Sequence, residues 1–291
     1  MTTGIAPANG IEIAYETFGN TADPALLLVM GLGAQMILWD EEFCAMLAAR
    51  GFYVIRYDNR DVGLSTKMEG APAPDIAAAM TGDTSSASYT LADMADDGIA
   101  LLDALGIAKA HIVGASMGGM IVQAMAIRHP DRVLSLCSIM STTGNRDVGQ
   151  PTPAAMAALL SPPPTTRDEA IEAAVKTTRI IGSPGFPFDE ARQREFAGRA
   201  YDRANYPIGI ARQLLAIQAS GDRTEGLRQL SVPTIVIHGD ADPLVTPSGG
   251  KATAEAIPGA QLMMVEGMGH DIPIEARGQV VAAIVANAQR S

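Results

Sequence analysis

The chain has 291 residues, 47% of them hydrophobic, enough to bury one sizeable core and carry an inserted subdomain. A formal net charge of −11 and a pI near 4.8 exclude a nucleic acid as natural partner, because that affinity rests on Lys and Arg neutralising phosphates. No stretch approaches the roughly 20 apolar residues of a spanning helix, and Met1-Thr2-Thr3-Gly4 lacks the basic-then-apolar order of a signal peptide, so a cytoplasmic protein without membrane association is expected.

In chain order, Ile11–Tyr15 alternates with period two, as an antiparallel starting strand exposed on one face would. The short apolar runs Ala25–Met30, Tyr53–Tyr57, His111–Gly114, Val133–Met140 and Thr234–His238 read as parallel strands buried on both faces. Helix-length amphipathic stretches separate them. One begins at Thr90, with Asp93 three residues on, carries Leu91, Met94, Leu101, Leu102 and Leu105 on one stripe, and ends at Gly106. Such alternation implies a wound parallel sheet. Cys44 and Cys137 fall in a helix and a strand, with a spacing that suits neither a metal site nor a disulfide framework, and read as buried free thiols.

From about Ser141 to Leu230 the strand signal gives way to Pro-rich joints (Ser161–Pro164, Gly185–Phe188) and helical segments such as Asp189–Arg203 and Ile208–Ala219. This stretch carries 11 basic and 10 acidic residues, a balance of +1 against −12 for the rest, which marks it as a separate subdomain. Strands resume at Val232-Pro233-Thr234, with Pro where a missing N–H is tolerated. A core domain of residues 1–140 and 231–291, interrupted by a helical cap at 141–230, accounts for this order. No internal repeat is present.

Gly114-Ala115-Ser116-Met117-Gly118 is a G-x-S-x-G pentapeptide lying between a strand and the helical run Gly119–Arg128. A sharp strand-to-helix turn forces its central residue into strained backbone space, and small neighbours at Gly114 and Gly118 let strand and helix approach. Ser116 is therefore the candidate nucleophile. A serine hydroxyl is a weak nucleophile at neutral pH and needs a base whose tautomer is held by a carboxylate. Of four histidines, His111 opens a strand, His129 sits at a helix end and His238 lies in an apolar strand; each has a structural role. His270, in the loop Gly267-Met268-Gly269-His270 after the apolar run Leu262–Val265, lies where a last strand delivers it to the carboxyl edge of the sheet. Asp240 and Asp242, after strand Thr234–His238, reach the same edge, and Asp240 suits a loop cap. For the oxyanion, backbone N–H groups of Met117 and of Leu32, in the Gly31-Leu32-Gly33 turn, are the expected donors.

Other chemistries lack their residues. Met36 stands where a dinucleotide fingerprint needs its third Gly, Gly249-Gly250-Lys251-Ala252 is not a phosphate loop, and no H-x-x-x-H pair exists. No metal or other cofactor is expected, and the 15 methionines read as core or pocket filler, Met117 and Met268 flanking the chemistry.

With these motifs in place, the chain resembles the α/β-hydrolase superfamily over nearly its full length. Asp58-Asn59-Arg60-Asp61-Val62-Gly63-Leu64-Ser65 is similar to that family's D-x-R-x-x-G-x-S segment, and the order Ser…Asp…His is the family's own. The resemblance implies a mostly parallel eight-stranded sheet flanked by helices with an inserted helical cap. It also implies Asp242, before the Pro243-Leu244-Val245 turn, as the acid. Leu28–Gly31, Ile55–Asp58, Gly185–Asp189 and Gly267–His270 resemble the aclacinomycin methylesterase group, which cleaves a methyl ester on a polyketide glycoside. Where many relatives have His before the loop glycine, this chain has Met30. A carboxylic ester hydrolase acting through an acyl-enzyme on a small, largely apolar substrate is the expected activity, with Phe186 and Phe188 as substrate-binding candidates. Lactone or C–C hydrolysis, peracid formation, or a ligand-sensing receptor with little turnover would use the same frame. Oligomeric state is not legible.

Overall fold

Ala25–Val29, Ala110–Ala115 and Thr234–Gly239 are buried at every position, which requires cover on both faces of their sheet. The computed structural model describes residues 1–291 and contains eight strands: β1 (Thr2–Ala8), β2 (Ile11–Phe18), β3 (Ala25–Val29), β4 (Tyr53–Tyr57), β5 (Ala110–Ala115), β6 (Val133–Ile139), β7 (Thr234–Gly239) and β8 (Gln261–Val265). They form one sheet in the order β1-β2-β4-β3-β5-β6-β7-β8, parallel except where β2 meets β1 and β4. Between the strands run α1 (Glu41–Ala48), α2 (Ile76–Met80), α3 (Leu91–Ala104) and α4 (Met117–Arg128). Five helices lie between β6 and β7: α5 (Pro153–Leu159), α6 (Arg167–Ile181), α7 (Glu190–Arg203), α8 (Pro207–Ser220) and α9 (Thr224–Leu227). The last two are α10 (Pro247–Ala256) and α11 (Arg277–Ala288).

Successive residues of a strand point to opposite faces, and the core divides accordingly. Leu27, Val29, Ile55, Ile112 and Leu136 pack with Leu91, Met94 and Leu101 of α3 and Ile121 and Met125 of α4. Leu26, Leu28, Val54, Val113 and Cys137 pack on the other side with Phe43 and Leu47 of α1 and Val280, Val281 and Ile284 of α11. Helix α3 starts as its sequence predicts: Thr90 Oγ1 accepts from Asp93 N–H, and the Asp93 carboxylate accepts from Thr90 N–H at 2.8 Å. Cys44 and Cys137 are free and buried, and burial pushes the Cys44 thiol up to about 12, too high for it to react as a thiolate. No helix is long and apolar enough to cross a membrane.

The structure adds β1, an antiparallel edge strand paired with β2 over Thr2–Ala8, which the sequence reading did not contain. Its sequence, TTGIAPA, is mostly exposed and includes Gly4 and Pro7, and Pro fits a sheet only at such an edge. Strand β2 continues to Phe18, beyond the alternating run, because it pairs with β4 as well as β1.

Two features of this topology create a site. From β3 the chain crosses to β4 on one side and later returns to β5 on the other, so the loops after β3 and β5 part and leave a crevice at the carboxyl edge. Helix α4 then crosses close to the strand ends. A Cβ on Gly114 would overlap the Gly118 carbonyl, and one on Gly118 would overlap the carbonyl oxygen of Val29. Because the obstruction at Gly118 is main chain, Gly118→Ala must displace α4 or β3. The expected loss is roughly 3 kcal/mol, the upper part of the overpacking range, read as a lowered urea midpoint at unchanged m-value.

Candidate active site

Ser116 occupies the turn from β5 into α4 with φ 57° and ψ −122°, one of four non-glycine residues at positive φ. The surrounding bonds over-determine this strained backbone: its N–H donates to Ile139 O at 2.9 Å, and its carbonyl accepts from Met120 N at 3.2 Å and from Ser141 Oγ at 2.8 Å. Its Oγ lies 2.9 Å from His270 Nε2.

His270 follows β8, and its Nδ1 lies 2.7 Å from Asp242 Oδ2. Asp242 is buried, and its other oxygen accepts from the N–H groups of Leu244 at 2.8 Å and Val245 at 3.0 Å. An ionised carboxylate can only accept, so the imidazole proton sits on Nδ1 and Nε2 is left to accept from Ser116. Asp240, the other acid considered, faces away and accepts from Gly267 N–H at 2.7 Å, capping the loop. Of the remaining histidines, His111 Nδ1 lies 2.9 Å from Ser135 Oγ and His129 pairs with Asp96.

His238 is closer to the chemistry than its strand position suggested. Its Nε2–H donates to Val245 O at 2.7 Å, and the same nitrogen lies 3.6 Å from Asp242 Oδ2. Burial holds its pKa below the ordinary histidine range, so a neutral ring backs the carboxylate. The spacing of four between His238 and Asp242 across the strand end was the available signal.

The turn after β3 lies against the serine: a methyl group on Gly31 would stand 3.0 Å from Ser116 Cβ and 3.5 Å from its Oγ. Ala34 N–H closes this turn on Gly31 O at 3.2 Å, and Gly33 adopts φ 65°. Leu32 N–H has no partner within the chain, and Met117 opens α4, where an N–H lacks an intrahelical acceptor. The segment Asp58–Ser65 supports the same region. The Asp58 carboxylate accepts from Met36 and Leu64 N–H, both at 2.8 Å, and Asn59 Nδ2 donates to Met30 O at 2.9 Å. Met30 itself is buried.

The histidine loop is clamped by the end of α6 and the residues after it, a contact sequence reading missed. His270 N–H donates to Ile181 O at 2.7 Å, Gly269 N–H to Ser183 Oγ at 2.9 Å and Gly185 N–H to Gly267 O at 2.9 Å. Ser183 Oγ also donates to Asp271, whose carboxyl is raised above its usual range chiefly by burial. Only the glycines at 182, 185, 267 and 269 hinted at so close an approach.

A cleft of about 690 Å³ reaches His270 and Ala115 and runs between α1 and α7. Its sheet-edge end is apolar, with Met30, Ala115 and Met140, while much of the charge on its wall is paired internally, Arg192 and Arg277 both with Asp40. Phe188 lines it beneath the Arg179 guanidinium, 4.3 Å from the ring centroid. Phe186 instead packs against the core on the α1 and α11 side. No group of three or more His, Cys, Asp or Glu side chains is placed to hold a metal ion.

Comparison with known proteins agrees with this architecture. The chain is 31% identical to rhodomycin D methylesterase DauP of Streptomyces sp. (strain C5) over 99% of its own length and 98% of that protein's. It is 29% identical to rhodomycin D methylesterase DnrP of Streptomyces peucetius with the same coverage. Among solved structures, the enol-lactonase from Burkholderia xenovorans LB400 superposes with a TM-score of 0.74 at 26% identity, covering 98% of this chain and 100% of that one. The model of the alpha/beta hydrolase fold matches residues 24–276, and the chain belongs to that family.

Proposed function

We propose that this chain is a carboxylic ester hydrolase in which Ser116, His270 and Asp242 act as a catalytic triad. One observation carries the reading: an unbroken hydrogen-bonded line from Ser116 Oγ through both nitrogens of His270 to a buried carboxylate, at 2.9 and 2.7 Å. Ser116 Oγ attacks the ester carbonyl while its proton passes to His270 Nε2, and the developing oxyanion takes the backbone N–H groups of Leu32 and Met117. Collapse of the tetrahedral species expels the alkoxide, which His270 protonates. Water, deprotonated by His270, then adds to the acyl-enzyme and releases the acid and free Ser116. Each oxyanion donor is worth about 10²–10³ in rate in comparable sites.

The likeness to two methylesterases supports an ester with a small alcohol as leaving group. The apolar end of the cleft at Met30, Ala115 and Met140 supports an uncharged, largely apolar group next to the reacting carbonyl. Residues 141–230 are proposed as a cap over this cleft, since Thr178 of α6 and Arg192, Phe196 and Arg199 of α7 line it. Phe188 is the proposed aromatic contact to substrate, and Phe186 is assigned to holding the cap on the core. A lactone is a cyclic ester needing the same steps, and the likeness to an enol-lactonase supports it as a second reading. The ratio of kcat/KM for a lactone and its open-chain methyl ester separates the two.

Hydrolysis of short- and medium-chain p-nitrophenyl esters, together with fluorophosphonate labelling read by intact mass, tests the assignment. Multiple turnover and one adduct are expected, both lost in Ser116→Ala; a folded protein showing neither would overturn the proposal. Ser116→Ala or His270→Ala is expected to lower kcat by at least ~10⁴, with the double variant little worse because the residues act as a unit. Additive losses would contradict the triad.

The acid is tested separately. Asp242→Asn should lower kcat by ~10⁴ by favouring the wrong histidine tautomer, whereas Asp240→Asn, at the loop cap, should stay within about tenfold of wild type. Equal losses would remove Asp242 from its assigned role.

A further inference from the structure

We infer that Gln213, on α8 of the inserted segment, is a positioning residue for the oxyanion turn; this rests on the ester-hydrolase reading above. Gln213 is fully buried, and both ends of its amide are engaged with the core. Its Oε1 accepts from Gly33 N–H at 2.8 Å, and its Nε2 donates to Arg60 O at 2.8 Å. Because the amide nitrogen can only donate and the oxygen only accept, this pair of partners admits one orientation of the group.

The bond to Gly33 falls on the peptide whose orientation defines the type of the turn. In Gly31–Ala34, closed by Ala34 N–H on Gly31 O, Gly33 is the third residue and has φ 65°, the geometry of a type II turn. Type I and type II turns differ chiefly by a flip of the central peptide, here Leu32–Gly33. With Gln213 in place a flip would turn the Leu32 carbonyl toward Oε1, opposing two acceptors. The side chain therefore fixes ψ of Leu32 and φ of Gly33, and ties to α8 the turn that carries the free Leu32 N–H. The Met30 side chain, which precedes the turn, has no strong donor or acceptor with which to do so.

The surrounding contacts make α8 a rigid platform. Ile210 packs on Gly33, where an added Cβ would stand 3.0 Å from its side chain, and Arg212 lies 3.5 Å from the Asp61 carboxylate. Tyr89 Oη donates to the same carboxylate at 2.8 Å. The inserted helix thus sets the donor geometry of the core.

The test compares wild type with Gln213→Met, of similar volume but with no acceptor for Gly33, and Gln213→Glu, which keeps one. Gln213→Met is expected to lower kcat at least ~10-fold with KM within about threefold, because the lost stabilisation belongs to the transition state. Affinity for a boronic acid that forms a tetrahedral adduct on serine should fall in parallel, and Gln213→Glu should retain more kcat than Gln213→Met. A folded Gln213→Met variant with wild-type kcat, or Met and Glu variants that lose kcat and KM equally, would overturn the role. If Gln213→Met does not fold, Gln213→Asn, which withdraws the acceptor by one methylene, gives the same comparison. A wild-type protein without fluorophosphonate adduct would overturn the underlying reading instead; an adduct with unchanged variants would overturn only Gln213.

Discussion

The close crossing of α4 over the ends of β3 and β5 is the constraint on which the rest of the site depends. Three main-chain segments meet there without intervening side chains, at Gly114, Gly118 and the carbonyl of Val29. The crossing turns the chain so sharply that Ser116 is held at positive φ, a conformation costing of order 1–3 kcal/mol that persists only because surrounding bonds leave no alternative. The same approach brings Gly31 against Ser116, so that the β3 turn carrying the free Leu32 amide lies beside the hydroxyl at the start of α4. The geometry of the candidate site and the packing are here one problem, and glycine solves it because any Cβ would push the backbones apart.

Much of this was legible from the sequence, for identifiable reasons. Strands β3 to β7 are short, apolar and bounded by Gly, Asp or Pro, and α3 carries both its capping box and its terminal Gly106, so local signals and tertiary fold agree. Strand β1 was invisible because an exposed edge strand has no hydrophobic pattern to show. Ser116 and His270 could be singled out as candidates because each follows a readable strand, and a parallel sheet delivers all such loops to one edge; the same argument reached both Asp240 and Asp242, and only the family resemblance chose between them. What failed to show is contact between segments far apart in sequence. Ser183 on the histidine loop and Gln213 on Gly33 have no local pattern, since their partners lie 86 and 180 residues away; His238 behind Asp242 had only its spacing of four to show.

These contacts link the inserted helices to the core more tightly than a simple cover would need. Arg203 of α7 pairs with the fully buried Asp58 at 2.7 Å and reaches Gln35, while Arg212 of α8 faces Asp61. Burying such pairs costs several kcal/mol of desolvation per ion, which attraction repays only when remaining hydrogen-bonding positions are filled. On the carboxylates they are filled by Met36 and Leu64 N–H on Asp58 and by Met68 N–H and Tyr89 Oη on Asp61, while Arg203 Nη2 and Arg212 Nε stay buried without a partner. The net stability gained is therefore modest, and what the pairs add is register. Displacing α7 or α8 by one residue would leave a buried carboxylate unpaired, at a cost of about 3–5 kcal/mol.

The electrostatics around Asp242 follow the same logic. A buried carboxylate needs compensation, and Asp242 has two amides on one oxygen and His270 on the other. His238 stands close enough to compete for that charge. Were it protonated, it would stabilise the carboxylate independently of His270 and weaken the advantage of forming a cation on the His270 ring. Burial lowers its pKa, and its single ring proton is committed to Val245 O, which leaves its Nδ1 bare against Gly250. The ring therefore fills space and excludes water without adding charge. Because no second imidazolium then shares the charge of Asp242, the carboxylate can stabilise an imidazolium on His270 as the proton of Ser116 arrives, the moment at which the reaction proposed here requires it.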